Sequence, residues 1–191
     1  MSSLRNILLD IYNDKRNVFK ISDIAEMSGV DDNKTLSWRM NYYVRQGRLL
    51  NPRKGIYAKN GYSVEELASC LYTPSYISLD YVLKREGVVC QNVGTITLVG
   101  YLNRLIEIGN SLILYRKLKD EILTNYEGVR FENGVRIASA ERAFLDMYYL
   151  SPNYSFSNIN KLNYKIIKKL LPVYSSVALE IRTKQLFKDD D

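Results

Sequence analysis

Histidine is absent from this chain of 191 residues, and cysteine occurs only at Cys70 and Cys90. The first absence removes imidazole acid–base chemistry, Ser-His and Cys-His nucleophile systems and most zinc sites. Two lone cysteines read as small buried apolar side chains rather than as a disulfide. No apolar run approaches the roughly 18 residues that a membrane span needs. No secretory signal is visible either: Met1–Arg5 holds one charge, and Asp10 breaks the apolar stretch that follows. There is no Gly-rich phosphate loop, no internal repeat and no disordered linker. These absences predict a cytoplasmic protein with no membrane partner, no cofactor, no metal and no catalytic residue.

Carboxylates are missing from one long stretch. Between Asn33 and Val64 there is no Asp or Glu, whereas Lys34, Arg39, Arg45, Arg48, Arg53, Lys54 and Lys59 all fall there. Residues 1–60 hold 11 basic and 6 acidic residues, a net of +5, and residues 61–191 hold 16 and 15, a net of +1. A one-sign field on a folded unit suits a DNA duplex, whose phosphates dominate affinity. The charge split predicts a DNA-binding domain over 1–60 and a second domain over 63–191, with Gly61 at the linker. The sixteen tyrosines read mostly as amphipathic residues at the edge of a core.

The local patterns give the first domain its order. Ser2 or Ser3 can cap a first helix whose apolar face is Leu4, Ile7, Leu8 and Ile11. Val18–Ile21 is a short β-like run. Ser22 is placed to cap a second helix, and Gly29 to end it. Asp31 or Asp32 opens a third helix over about Asn33–Gln46, and Gly47 ends it. Leu49-Leu50, a turn over Asn51–Gly55, and Ile56–Ala58 read as a hairpin. Helix, strand, helix, turn, helix and hairpin in that order predict a winged helix-turn-helix, with the hairpin as the wing.

At 100° per residue, Leu36, Met40, Tyr43 and Val44 gather on one side of the third helix and face a core. Lys34, Trp38, Asn41, Tyr42 and Arg45 lie opposite, flanked by Thr35 and Ser37. The second helix of such a motif enters the major groove. Lys34, Thr35, Ser37, Trp38 and Asn41 are therefore candidates for base edges. Arg39, Arg45, Arg48, Arg53 and Lys54 suit phosphates, which position a protein without reading sequence. The bland alternatives are a merely solvated cationic face and a Trp38 packed on the second domain.

In the second part, Ser63 caps a helix over Val64–Leu71, Thr73-Pro74 breaks it, and Tyr76-Ile77 is extended. Ser78 is placed to cap a helix over Leu79–Glu86 that Gly87 stops. Thr95–Val99 and Leu112–Leu118 read as strands. Val129–Phe131 and Val135–Ile137 flank Asn133-Gly134, a strong hairpin signal. Ser139 caps a helix over Ala140–Tyr149. Helices over Tyr164–Leu171 and Ser176–Phe187 and a frayed Asp189–Asp191 tail complete the chain. Arg142 and Asp146, four apart, are expected to pair on a helix surface.

Three of these segments resemble a known family. Pro74-Ser75-Tyr76-Ile77-Ser78-Leu79 with Gly87, then Ile137-Ala138-Ser139-Ala140-Glu141-Arg142-Ala143-Phe144-Leu145-Asp146, are similar to hallmarks of AbiEi-type antitoxins of bacterial abortive-infection (type IV toxin–antitoxin) systems. Arg53-Lys54-Gly55-Ile56-Tyr57-Ala58 resembles their Gly-x-Tyr wing. Ala140 departs from the Pro common there, and Tyr81 and Val82 from small residues. The resemblance covers about Leu4–Leu150. It implies an α+β chain, an N-terminal winged helix-turn-helix followed by a mixed α/β C-terminal antitoxin domain. It also implies a repressor that binds repeats in its own promoter, with double-stranded promoter DNA and a cognate nucleotidyltransferase-like toxin as partners.

Two other readings are compatible with the same residues. A metal-dependent nuclease would draw on Asp120, Glu121, Glu141, Asp146 and Glu180, since nuclease metals need clustered carboxylates. However, Asp120-Glu121 looks like a helix start, and Glu180-Ile181-Arg182 lacks the lysine of a restriction-type motif. A plain winged-helix regulator without a toxin is the third. The adjacent gene separates it from an antitoxin.

Overall fold

Elements α1 (Ile7–Asn13), β1 (Val18–Lys20), α2 (Ile21–Ser28), α3 (Asn33–Arg45), β2 (Leu50–Arg53), β3 (Ile56–Ala58) and α4 (Val64–Leu71) build the first of two units of this mixed α+β chain. The computed structural model describes residues 7–30, 32–90 and 94–187. The expected caps at Ser2 and Ser3, Leu4 on the first apolar face, Asp31 and the Asp189–Asp191 tail lie outside the described residues. The units are Met1–Leu71 and Tyr72–Asp191.

In the first unit Ile7, Ile11, Phe19, Ile24, Leu36, Met40, Leu49 and Tyr57 form one core, with Tyr43 and Val44 packed against it. The face expected of α3 is therefore the face it buries. Ser22 does not cap α2. Strand β1 runs straight into the helix, so Lys20 is the capping position, and the Asp23 carboxylate accepts its backbone N–H at 3.0 Å. Gly29 ends α2 at φ 65°, its N–H donating to the Ala25 carbonyl at 2.9 Å. This left-handed position suits glycine. The strands form an antiparallel sheet in the order β1-β3-β2, with Phe19 opposite Tyr57. Strand β2 extends through Arg53, so the hairpin turn is Lys54-Gly55 rather than Asn51–Gly55. Pro52 is tolerated because β2 is an edge.

Helix α4 belongs with this unit, so the division falls at Leu71/Tyr72 and not at Gly61. Ser63 and Glu66 cap each other: the Glu66 N–H donates to Ser63 Oγ at 3.1 Å, and the Ser63 N–H to Glu66 Oε2 at 3.3 Å. The same Glu66 accepts from Asn17 Nδ2 at 3.0 Å, which ties the helix to the start of β1.

The second unit contains β4 (Ser75–Ile77), α5 (Leu79–Arg85), β5 (Thr95–Gly100), β6 (Arg104–Ile108), β7 (Ser111–Lys117), α6 (Asp120–Leu123), β8 (Val129–Glu132), β9 (Val135–Ala138), α7 (Ala140–Leu150), α8 (Tyr164–Leu170) and α9 (Val177–Leu186). Its mixed sheet has the order β6-β7-β5-β4-β9-β8. Strand β6, which the sequence pattern does not predict, is an edge, with Leu105 exposed and Ile106 buried. Asn133 and Gly134 both take positive φ, 49° and 83°, as a two-residue hairpin turn requires. Neither cysteine forms a disulfide; Cys70 is half-buried, whereas Cys90 is exposed rather than buried as expected.

Candidate nucleic-acid interface

Asp32 starts α3, its carboxylate accepting from the Lys34 N–H at 3.0 Å and from the Thr35 hydroxyl at 2.5 Å. With that end fixed and Leu36 and Met40 in the core, the opposite face of α3 must point outward. Lys34, Thr35, Trp38, Asn41, Tyr42 and Arg45 are all exposed, and Ser37 and Arg39 are half-buried. Trp38 is 66% exposed and stacks on Tyr42, with ring centroids 6.4 Å apart and planes at 16°. Asn41 is the polar member with an inward anchor, since the Tyr57 hydroxyl of β3 lies 3.4 Å from its Oδ1.

The hairpin follows directly. Arg48 is exposed after α3, and its carbonyl accepts from the Tyr12 hydroxyl at 2.6 Å. Asn51, expected within the turn, lies instead on β2 and holds the turn: its Nδ2 donates to the Arg53 carbonyl at 2.9 Å and to the Ile56 carbonyl at 2.7 Å. An Asn three residues before the Lys54-Gly55 turn is the signal for this role. Lys54 is exposed at the tip, and Arg53 is half-buried with its Nη1 buried and without a hydrogen-bond partner among the described residues.

Not every cation of the acid-free stretch faces outward. Lys59 is 8% exposed, donates to the Asp14 carbonyl at 2.6 Å and lies over the Phe19 ring. It serves the core. Lys34, Arg39, Arg45, Arg48, Arg53 and Lys54 make no ion pair among the described residues, whereas Arg16 of the same unit pairs with Asp14 and with Asp23. Six cations on one helix and the segment that follows it thus stand without an ion pair among the described residues, which is the arrangement that counterion release rewards. No protein-family model and no curated protein matches the chain.

The second unit joins two of the segments that carried the family resemblance. Ile77 of β4 pairs in parallel with Ile137 of β9. Arg142 and Asp146 of α7 do not pair on the surface as expected; both are fully buried, 3.3 Å apart. The sheet, α5 and α8 pack around α7, and residues 142–148 are all buried. Asp146 accepts from the hydroxyls of Tyr174 at 2.6 Å, Ser78 at 2.7 Å and Tyr76 at 3.0 Å. Ser78 is thus spent on Asp146 rather than on capping α5. Arg142 donates to the carbonyls of Ile122 at 2.8 Å and Glu127 at 3.0 Å and to the Tyr76 hydroxyl. Burial pushes the Asp146 carboxyl up, against the pull of Arg142 and the hydroxyls; burial also raises Tyr76 and Tyr174. Of the other carboxylates weighed as nuclease ligands, Glu180 pairs with Lys184 at 2.6 Å and Glu141 accepts from the Asn163 N–H. Asp120 and Glu121 are exposed on α6.

Proposed function

We propose that the first unit is a winged helix-turn-helix that binds double-stranded DNA. In this reading α2 and α3 form the motif, α3 enters the major groove and the β2–β3 hairpin is the wing. The observation that carries it is the cationic surface shared by α3 and the hairpin, whose six cations make no ion pair among the described residues. Lys34, Thr35, Ser37, Trp38 and Asn41 lie toward base edges, and Arg39, Arg45, Arg48, Arg53 and Lys54 toward phosphates. A buried Arg53 nitrogen without a partner costs free energy. Swinging that guanidinium out to a phosphate recovers it.

The chain as a whole is then an antitoxin and transcriptional autorepressor of the AbiEi type, acting on promoter repeats and neutralising a nucleotidyltransferase-like toxin. Support for this half is the resemblance of three segments, two of which meet through Tyr76, Ser78, Arg142 and Asp146. A mobility shift on the DNA immediately upstream of the gene tests the first half. A salt-sensitive shift is expected, and no shift at low salt overturns it. Co-expression with the product of the adjacent gene tests the second. Restored growth supports an antitoxin, while an adjacent gene with no toxicity leaves a plain repressor.

A further inference from the structure

Trp38 lies at the middle of the outward arc of α3, on the helical wheel, with Lys34, Asn41 and Arg45 to one side and Thr35 and Tyr42 to the other. An indole 66% exposed beside a phenol 46% exposed leaves apolar surface uncovered at the centre of a cationic face. The pair is held in place. Tyr42 contacts the Tyr43 ring at 5.9 Å, and Tyr43 packs on the core. The Thr35 hydroxyl is committed to Asp32, so its methyl is what remains to face outward. Thr35, Trp38 and Tyr42 follow each other at i, i+3 and i+7, a continuous apolar stripe along the helix. The major-groove edge of a duplex offers one apolar group, the C5-methyl of thymine. Asn41, beside the stripe, is the residue type that pairs with adenine N6 and N7.

We infer that α3 selects A·T pairs, with Trp38 and Tyr42 seated on thymine methyl groups and Asn41 on the adenine edge. This rests on the proposal that α3 faces duplex DNA, and it adds what the helix reads there. The test compares the upstream promoter duplex with the same duplex in which every thymidine is replaced by deoxyuridine. That change removes the methyls and leaves every hydrogen bond in place. The full-length protein is expected to bind the deoxyuridine duplex about fourfold more weakly for each methyl lost from the contact. The W38A/Y42A variant is expected to bind the natural duplex more weakly and to treat the two duplexes alike. Trp38 is the sole tryptophan, so its emission in the unmodified protein should change when the natural duplex saturates it. Equal binding of both duplexes, a variant that keeps the full discrimination, or unchanged emission in a shifted complex overturns the inference and leaves DNA binding standing. No shift on any duplex overturns both.

Discussion

Two residues decide how the cationic stretch should be understood. Lys59 belongs to it by sequence and to the core by structure, its ammonium donating to the Asp14 carbonyl. Lys59→Met keeps the stem and deletes the donors, leaving that carbonyl unpaired. Unit stability should fall by about 1–3 kcal/mol, measured by urea denaturation, while the salt dependence of DNA binding stays as it was. A reduced salt slope would place Lys59 at the phosphates after all. Asp32 is the converse case, a carboxylate at the end of α3 that the proposal points toward DNA. The Thr35 hydroxyl and then the Lys34 N–H hold its carboxyl below the ordinary 3.8. Its folded pKa being depressed, the cap's contribution is complete above that ordinary value and is lost as pH falls through the folded one. Asp32→Asn keeps a capping acceptor but removes a negative charge. DNA affinity should rise about two- to fivefold, and the acid-induced loss of α3 helicity, followed by circular dichroism, should disappear. An affinity unchanged by the substitution would move this end of α3 away from the phosphates.

At the scale of elements, the proposed interface assigns phosphate contacts to the hairpin and base reading to the helix. Replacing Arg53 and Lys54 by Ala should weaken binding to every duplex and lower the magnitude of the log–log salt slope by about 2, whereas Asn41→Ala should relax sequence preference and leave that slope unchanged. Mobility shifts across a salt series separate the two. A wing variant with the parental slope would remove the wing from the interface. The elements behind this prediction were largely legible in the sequence. The 3.6-residue period of α3 placed Leu36 and Met40 inward and Trp38 outward, and Gly29 and Gly47 marked helix ends. Strand β6 was not legible, because an exposed edge with Leu105 outward, flanked by Arg104 and Glu107, lacks the β-branched or apolar run with few breakers that marked β5 and β7. The buried pair on α7 was missed for a different reason. Spacing of i, i+4 places Arg142 beside Asp146 on any helix, and only the tertiary arrival of Tyr76, Ser78 and Tyr174 makes that site an interior. Ser78 misled in the same way, since a serine before a helix reads as a cap until a carboxylate claims its hydroxyl.

For the whole molecule, net charge turns out to be a poor guide to the division of labour. With the boundary at Leu71/Tyr72, residues 1–71 hold 11 basic and 8 acidic residues and residues 72–191 hold 16 and 13, so each unit carries +3. What distinguishes the α3 and hairpin surface is that its six cations lie on neighbouring elements with no ion pair among the described residues. In the second unit five cations, Arg85, Arg130, Arg142, Lys169 and Lys184, each lie within 4 Å of a carboxylate. The second unit also hangs on one buried cluster. Arg142 and its partners connect β4, α6, α7 and the turn at Tyr174, so removing the guanidinium strands a buried carboxylate. Arg142→Ala should cost about 3–5 kcal/mol, read as a lowered urea midpoint. Tyr76→Phe, which removes a single hydroxyl from Asp146, should cost about 1–2 kcal/mol. If the antitoxin reading is right, the functional consequences diverge. The wing variant should lose repression of a promoter reporter yet still rescue growth against the toxin, because its second unit is untouched. Arg142→Ala should fail to rescue at temperatures where Tyr76→Phe succeeds, tracking the stability of that unit. A wing variant that loses both activities together would mean that repression and neutralisation share one surface, and that the two-unit division describes the fold but not the function.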